Sequence, residues 1–260
     1  MSLRIQNNVE ALTAHRQLSG TSERLRKSME RLSSGYRINK AADDAAGLAI
    51  SERMRAQIRG LAQAQRNAQD AVSMVQTAEG ALSEVHAMLQ RVRELAVQYR
   101  NGTLSASNRL SIQSEVDQLY AEIQRIAQSS QFNGITLLAA TGVVTFQVGA
   151  NDGEVITVST LDLVGALGTA AFSLNIANTQ DLSEIDQALD VVSAQRAQLG
   201  AVQNRLEHLL NSIAIYHENL VAAESRIRDL DMAEEAVELT KLQVLQQAGT
   251  AMLAQANQSN

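Results

Sequence analysis

The chain has 260 residues, of which 45% are apolar but only 3% aromatic, and it contains no Trp, no Pro and no Cys. Its net charge of −6 is unevenly spread: residues 1–100 carry 15 Lys/Arg against 10 Asp/Glu, and residues 101–260 carry 7 against 18. These values exclude disulfides and thiolate metal sites, argue against nucleic-acid binding because no basic patch interleaves with aromatics, and favour long, closely packed helices.

Residues 1–33 read as an amphipathic helix with Ile5, Val9, Leu12, Leu18, Leu25, Met29 and Leu32 near one stripe. The stripe is thin, and Arg16, Ser19 and Ser22 interrupt it. Packing supplies most helical stability, so this segment is expected to be disordered in a free monomer. Residues 34–44 follow as a linker, in which Ser34 and Gly35 form turns and Asp43 with Asp44 supplies an N-cap for the next helix.

A second, long helix is expected over 45–100. Its stripe runs Met54, Ile58, Leu61, Ala64, Ala68, Val72, Val75, Ala78, Leu82, Val85, Leu89, Val92, Leu95 and Tyr99. At the usual rise per residue its length is about 80 Å. Asn101–Ser107 is a turn, and a short third helix over about 110–128 returns antiparallel, with Ile112, Val116, Leu119, Ile123 and Ile126 on one side. Gln131–Gly134 signals another turn. Alternating β-rich stretches at 143–148 and 155–159, joined through Asn151–Asp152–Gly153, predict one β-hairpin at about 143–159.

Another long pattern comes next, over 182–230. Apolar residues recur there with gaps alternating between three and four, from Leu182 and Ile185 through Leu199, Leu206, Leu209 and Ile213 to Tyr216, Leu220 and Leu230. Arg196 alone puts a charge in the stripe. Such a stripe requires partner helices of matching length. Leu82, Leu89, Leu199, Leu206, Leu209 and Ile213 are the expected packing residues of this rod, which spans 45–230. After a linker at Asp231, a weaker helix over about 232–257 carries Ala233, Val237, Leu242, Leu245, Ala248 and Met252. The layout is nearly palindromic, so the basic N-terminal end is expected to meet the acidic C-terminal end. The fold class is mainly α: an antiparallel coiled-coil bundle of long helices with a small hairpin, flanked by terminal helical segments at 1–33 and 232–260.

The segment Leu32–Leu61, LSSGYRINKAADDAAGLAISERMRAQIRGL, closely resembles the N-terminal signature of bacterial flagellins, and so do Gln76–Leu89 and Gln90–Gln98. Ser193–Leu206, Glu218–Met232 and Ala251–Gln258 resemble the C-terminal signature. The resemblance spans about residues 1–140 and 180–258, leaving only 141–180 for an outer domain, so it describes a minimal flagellin. It implies a structural subunit that self-assembles into a helical filament used for motility, with the termini paired as helices along the channel. It also implies unfolded type III export, a chaperone at the C-terminal segment, filament cap and hook-junction partners, and an extracellular destination. That last point replaces the soluble cytoplasmic reading suggested by a start without a signal peptide and by apolar runs too short for a membrane span. Family members usually end in a Pro-Gln pair and an apolar tail. This sequence stops at Asn260 without a Pro, and a trimmed C-terminus is the expectation.

The resemblance further implies recognition by the mammalian Toll-like receptor for flagellin, with Gln90, Arg91, Leu95 and Glu115 matching that surface and the same face covered by a neighbour in the filament. Catalytic chemistry has little support. His15, His86, His208 and His217 form no HExxH motif. Asp43–Asp44 and Asp229–Asp231 read as caps and solvated helix ends before acid–base or metal pairs. No cofactor is expected. Rival readings are a hook-junction protein and a cytoplasmic regulatory coiled coil.

Overall fold

The computed structural model describes residues 8–168, 172–175 and 181–258. In chain order these form α1 (Val9–Ser34), α2 (Ala45–Tyr99), α3 (Ala106–Ser129), β1 (Gln131–Phe132), β2 (Ile135–Thr136), β3 (Gly142–Gln147), β4 (Val155–Thr160), α4 (Leu163–Leu167), α5 (Asp181–Arg228) and α6 (Met232–Gln258). One compact unit takes its described residues from Met1–Ile58 and Glu218–Asn260, the other from Arg59–His217. The long helices α2 and α5 contribute to both.

Helix boundaries follow local chemistry. Asn8 caps α1 by accepting the Ala11 N–H at 2.9 Å, and Gly35 ends it in a left-handed conformation with φ 74°. Asp43 and Asp44 divide the role expected of them jointly. Asp44 caps α2 through the Gly47 N–H at 2.8 Å, whereas Asp43 accepts from the Asn39 and Lys40 N–H groups of the linker. Ser105 caps α3 and Asp231 caps α6. Without Pro, nothing interrupts α2 over its 55 residues or α5 over its 48.

In the unit built on Arg59–His217, the stripes of α2, α3 and α5 close on one another. Leu82, Leu89 and Leu206 are fully buried, Leu199 and Ile213 nearly so, and Leu209 packs half-buried against the same core. Arg196, the charge in the α5 stripe, lies 3.6 Å from Glu79 of α2, so its stem packs while its head is paired. The expected hairpin is present as β3 and β4, antiparallel from Gly142↔Thr160 to Gln147↔Val155, with Ile156 and Val158 turned into the core. Its loop crosses α2 closely: a side chain at Gly60 would meet the Ala150 Cβ at 3.1 Å, and Asn67 donates to the Gln147 carbonyl at 2.9 Å.

Two features go beyond the sequence reading. Gln131–Gly134 is part of a second, tiny hairpin, β1 with β2, whose turn residues Asn133 and Gly134 both have positive φ, 48° and 79°. Residues 163–167 form a short helix capped by Asp162, which buries Leu163 and Leu167. A five-residue helix is too short for periodicity to reveal.

Candidate assembly surfaces

In the other unit, α1 and α6 run antiparallel. Asn8 donates to the Ala256 carbonyl at 2.8 Å, Leu18 borders Gly249, and Arg31 lies 3.7 Å from Glu235. The more shielded residues of α1 are Ala11, Ala14, Leu18, Thr21, Leu25, Ser28 and Leu32; those of α6 include Glu235, Leu239, Leu242, Gln246, Gly249, Leu253 and Ala256. Both series step by three and four, so the seam is of coiled-coil type, but small and polar residues fill much of it. Charge favours the match: α1 carries five Lys/Arg and three Glu, α6 one Lys and three Glu.

This seam corrects both terminal stripes read from the sequence. On α1, Leu18, Leu25 and Leu32 do face the seam, but Val9, Leu12 and Met29 are 58%, 58% and 48% exposed, and Ile5 lies outside the described residues. On α6 only Leu242 of the expected stripe is buried, while Val237, Leu245, Ala248 and Met252 are exposed. Large apolar residues lie on both faces of α6: the seam takes Leu239, Leu242 and Leu253 with a Glu opposite Arg31, and the rest point away from α1. Val9, Thr13 and Ala14 of α1 with Met252 and Ala256 of α6 line an open apolar groove of about 510 Å³.

The segments flanking this pair are bound to each other. Tyr36 and Asp229 form an antiparallel β-bridge. The Arg37 N–H donates to the Arg228 carbonyl at 2.7 Å, and the Leu230 N–H to the Gly35 carbonyl at 3.0 Å. The Arg37 guanidinium donates to the Ile227 carbonyl at 2.6 Å, among the last carbonyls of α5. Arg228 stacks 4.8 Å over the Tyr36 ring and pairs with Glu52 at 2.6 Å. Lys27 of α1 reaches Asp43 at 2.6 Å. That hydrogen bond, aided by the Lys40 and Asn39 N–H groups, lowers the Asp43 pKa to about 2.

A second exposed cluster lies on α2 and α3. Arg91 donates to Glu115 at 2.8 Å and to Glu94 at 3.1 Å, and these partners raise its pKa above the usual value. Gln90 is exposed beside them, with its amide 3.0 Å from His86. Leu95 differs from the other three matched residues: at 1% exposure it belongs to the core and offers no surface. The resemblance placed Leu95 on the same surface as Arg91, but α2 buries Leu95 in the core. Among the described residues, no group of three or more His, Asp and Glu is gathered to hold a metal, and no helix is long and apolar enough to cross a membrane.

Comparison with known proteins adds to this geometry. The family model described as the bacterial flagellin N-terminal helical region matches residues 5–142, and that for the C-terminal helical region matches residues 182–260. The flagellin of Halalkalibacterium halodurans is 52% identical over 260 residues, covering 98% of this chain and 96% of that protein. The flagellin of Bacillus subtilis is 48% identical over 294 residues, with 98% and 97% covered. Among solved structures, Bacillus cereus flagellin aligns with a TM-score of 0.52 at 32% identity, covering 57% of this chain and 88% of that one.

Proposed function

This chain belongs to the bacterial flagellin family, and we propose that the outward apolar faces of α1 and α6 are where its copies join. It is a minimal flagellin: a structural subunit, not an enzyme, that self-assembles in many copies into the extracellular flagellar filament. The observation that supports the choice of surface is the exposure of Val237, Val244, Leu245 and Met252 on a helix whose other side already packs on α1. Covering such side chains stabilises by at most about 1.5–3 kcal/mol each, so a few per subunit suffice to drive polymerisation.

Val244 is 60% exposed, so Val244→Asp should leave the monomer's helicity unchanged and abolish long filaments in electron micrographs. Normal filaments from this variant would place the joining surface elsewhere. On this reading the pieces at 1–33 and 232–260 act as an assembly domain, 34–44 and 231 as linkers, and 45–230 as the rod. The family resemblance supports unfolded type III export, a chaperone at the C-terminal segment, and cap and hook-junction partners.

A second reading concerns the Arg91 cluster. Gln90, Arg91 and Glu115 stand exposed together, which supports recognition of the free subunit by the Toll-like receptor for flagellin. Leu95 contributes by holding α2 in place from inside.

A further inference from the structure

The seam between α1 and α6 has few contacts that distinguish one alignment from the next: the Asn8–Ala256 bond, the Leu18–Gly249 approach and the Arg31–Glu235 pair. Its residues repeat at heptad spacing, with Leu18, Leu25, Leu32, Leu239, Leu242 and Leu253 alternating with the small or polar Ala11, Ala14, Thr21, Ser28, Gln246, Gly249 and Ala256. Sliding one helix by a heptad, about 10 Å, keeps heptad positions opposite heptad positions and brings Leu25 to Gly249 in place of Leu18, giving up in the seam the Arg31–Glu235 pair. The bridge outside the seam has no such freedom. Gly35, the cap of α1, accepts from Leu230, and Leu230 immediately precedes Asp231, the cap of α6. Arg37 adds a donor from its backbone and another from its guanidinium, joining segments 190 residues apart in sequence. Lys27–Asp43 and Lys40–Glu30 draw the linker back onto α1, and Arg228–Glu52 secures the other strand to α2.

We infer that the bridge between residues 35–37 and 227–230 is a register pin: it acts as a non-covalent hairpin turn that fixes which residues of α1 meet which residues of α6. Two short helices with a weak seam pair in one alignment when their adjacent ends are held together, as a tight turn does for a covalent helical hairpin. Closing a loop of this length costs entropy that grows only slowly with length, so a few well-placed backbone hydrogen bonds can hold it. Arg37, Tyr36 and Arg228 are then positioning residues. They leave the seam untouched and determine the alignment in which the outward apolar faces are presented. The inference rests on the α1–α6 seam and holds whether or not the outward faces are the joining surface.

The absence of Cys makes a direct test available. A Cβ at Gly249 would stand 3.9 Å from the Leu18 Cβ, within disulfide geometry. Full-length chains carrying Leu18→Cys with Gly249→Cys report the observed register. Chains carrying Leu25→Cys with Gly249→Cys, or Ala11→Cys with Gly249→Cys, report slips of one heptad in either direction. Dilute protein is oxidised and intramolecular disulfides are read by mobility and mass. A disulfide traps whichever pairing forms, so the ratio reports register even when the pair opens often.

With the bridge intact, the Leu18 pair should close at least about ten-fold faster than either slipped pair, because a heptad slip separates the partners by about 10 Å. Arg37→Pro removes both Arg37 donors, and Leu230→Pro removes the other backbone donor. Each should bring the three rates together while helicity by circular dichroism is retained. Arg37→Ala keeps the backbone bonds and should give an intermediate ratio; it serves if a Pro variant loses helicity. An unchanged ratio in Arg37→Ala and in the helical Pro variants, or no preference for the Leu18 pair in the intact chain, would overturn the inference. A retained ratio in Val244→Asp, which lacks only the outward surface, keeps this result separate from the polymerisation experiment.

Discussion

Two regions of this molecule use the same three-four apolar spacing and reach opposite ends. In the unit drawn from Arg59–His217, α2, α3, α5 and the β3–β4 hairpin surround one core, and Leu82, Leu89, Val92 and Leu206 reach 0% exposure. In α1 and α6 the seam buries Thr21, Leu25, Ser28 and Leu242, and large apolar residues remain outside. Periodicity states that a helix needs a partner; the number of partners decides whether the need is met. Several partners close a core, whereas one leaves an apolar face open.

The sharpest way to break this comparison is to charge the closed core. Leu206→Asp places a carboxylate at a position with no exposure and should abolish cooperative folding, since even truncation there costs about 2–5 kcal/mol. Leu209→Asp, at the half-buried neighbour, should lower the melting temperature while a folded chain survives. Equal melting curves for Leu206→Asp and the parent would refute the packing described.

The next effect is on order. Most helical stability comes from packing, and the α1–α6 seam is narrow, so hydrogen exchange should show these helices opening readily in the monomer and strongly protected in filaments. Removing residues 1–33 and 232–260 should leave a helical monomer that never polymerises. Strong protection of both ends in a verified monomer would show that the pair is self-sufficient.

A smaller effect is expected at the surface cluster. Arg91→Ala removes exposed ion pairs to Glu115 and Glu94, so the melting temperature should stay unchanged while activation of receptor-bearing reporter cells by monomer falls. Leu95→Ala should act the other way round, lowering the melting temperature because Leu95 is buried. Normal signalling by Arg91→Ala would show that the cluster is only a solvated helix face.

The smallest effect concerns acid. Asp43 has a folded pKa of about 2 against an ordinary value of 3.8, held down first by its bond to Lys27. A depressed folded value means that its contribution to stability is complete above about pH 4 and disappears as pH falls through about 2. Asp43→Asn should flatten that part of the acid-unfolding curve of the terminal unit. An unchanged curve would show that the Lys27 contact is not maintained in solution.

Much of this was legible in the residues. The long helices are marked by uninterrupted stripes without Pro, the hairpin by alternation around Asn151–Gly153, and the start of α2 by Asp43 and Asp44, whereas the caps at Asn8 and Ser105 were not singled out. The flagellin signatures at 32–61 and 218–232 carried the family. Less legible was which face of a weak helix is chosen. On α6 the expected stripe joined Leu242 with Val237, Leu245 and Met252, yet the seam takes Leu242 with Leu239 and Gly249. Opposing Arg31 and Glu235, and a glycine able to lie against Leu18, were the available signals.

The sequence alone therefore determined what is local and repetitive: helix lengths, capped ends, turn positions and the need for partners. Those depend on chemistry within a few residues. Only the tertiary structure decided that Leu95 is core while Arg91 is surface, that Arg196 finds Glu79, and that Gly35–Arg37 bind Ile227–Leu230. Each of these joins groups far apart in the chain, and periodicity along one helix carries no information about what lies opposite it.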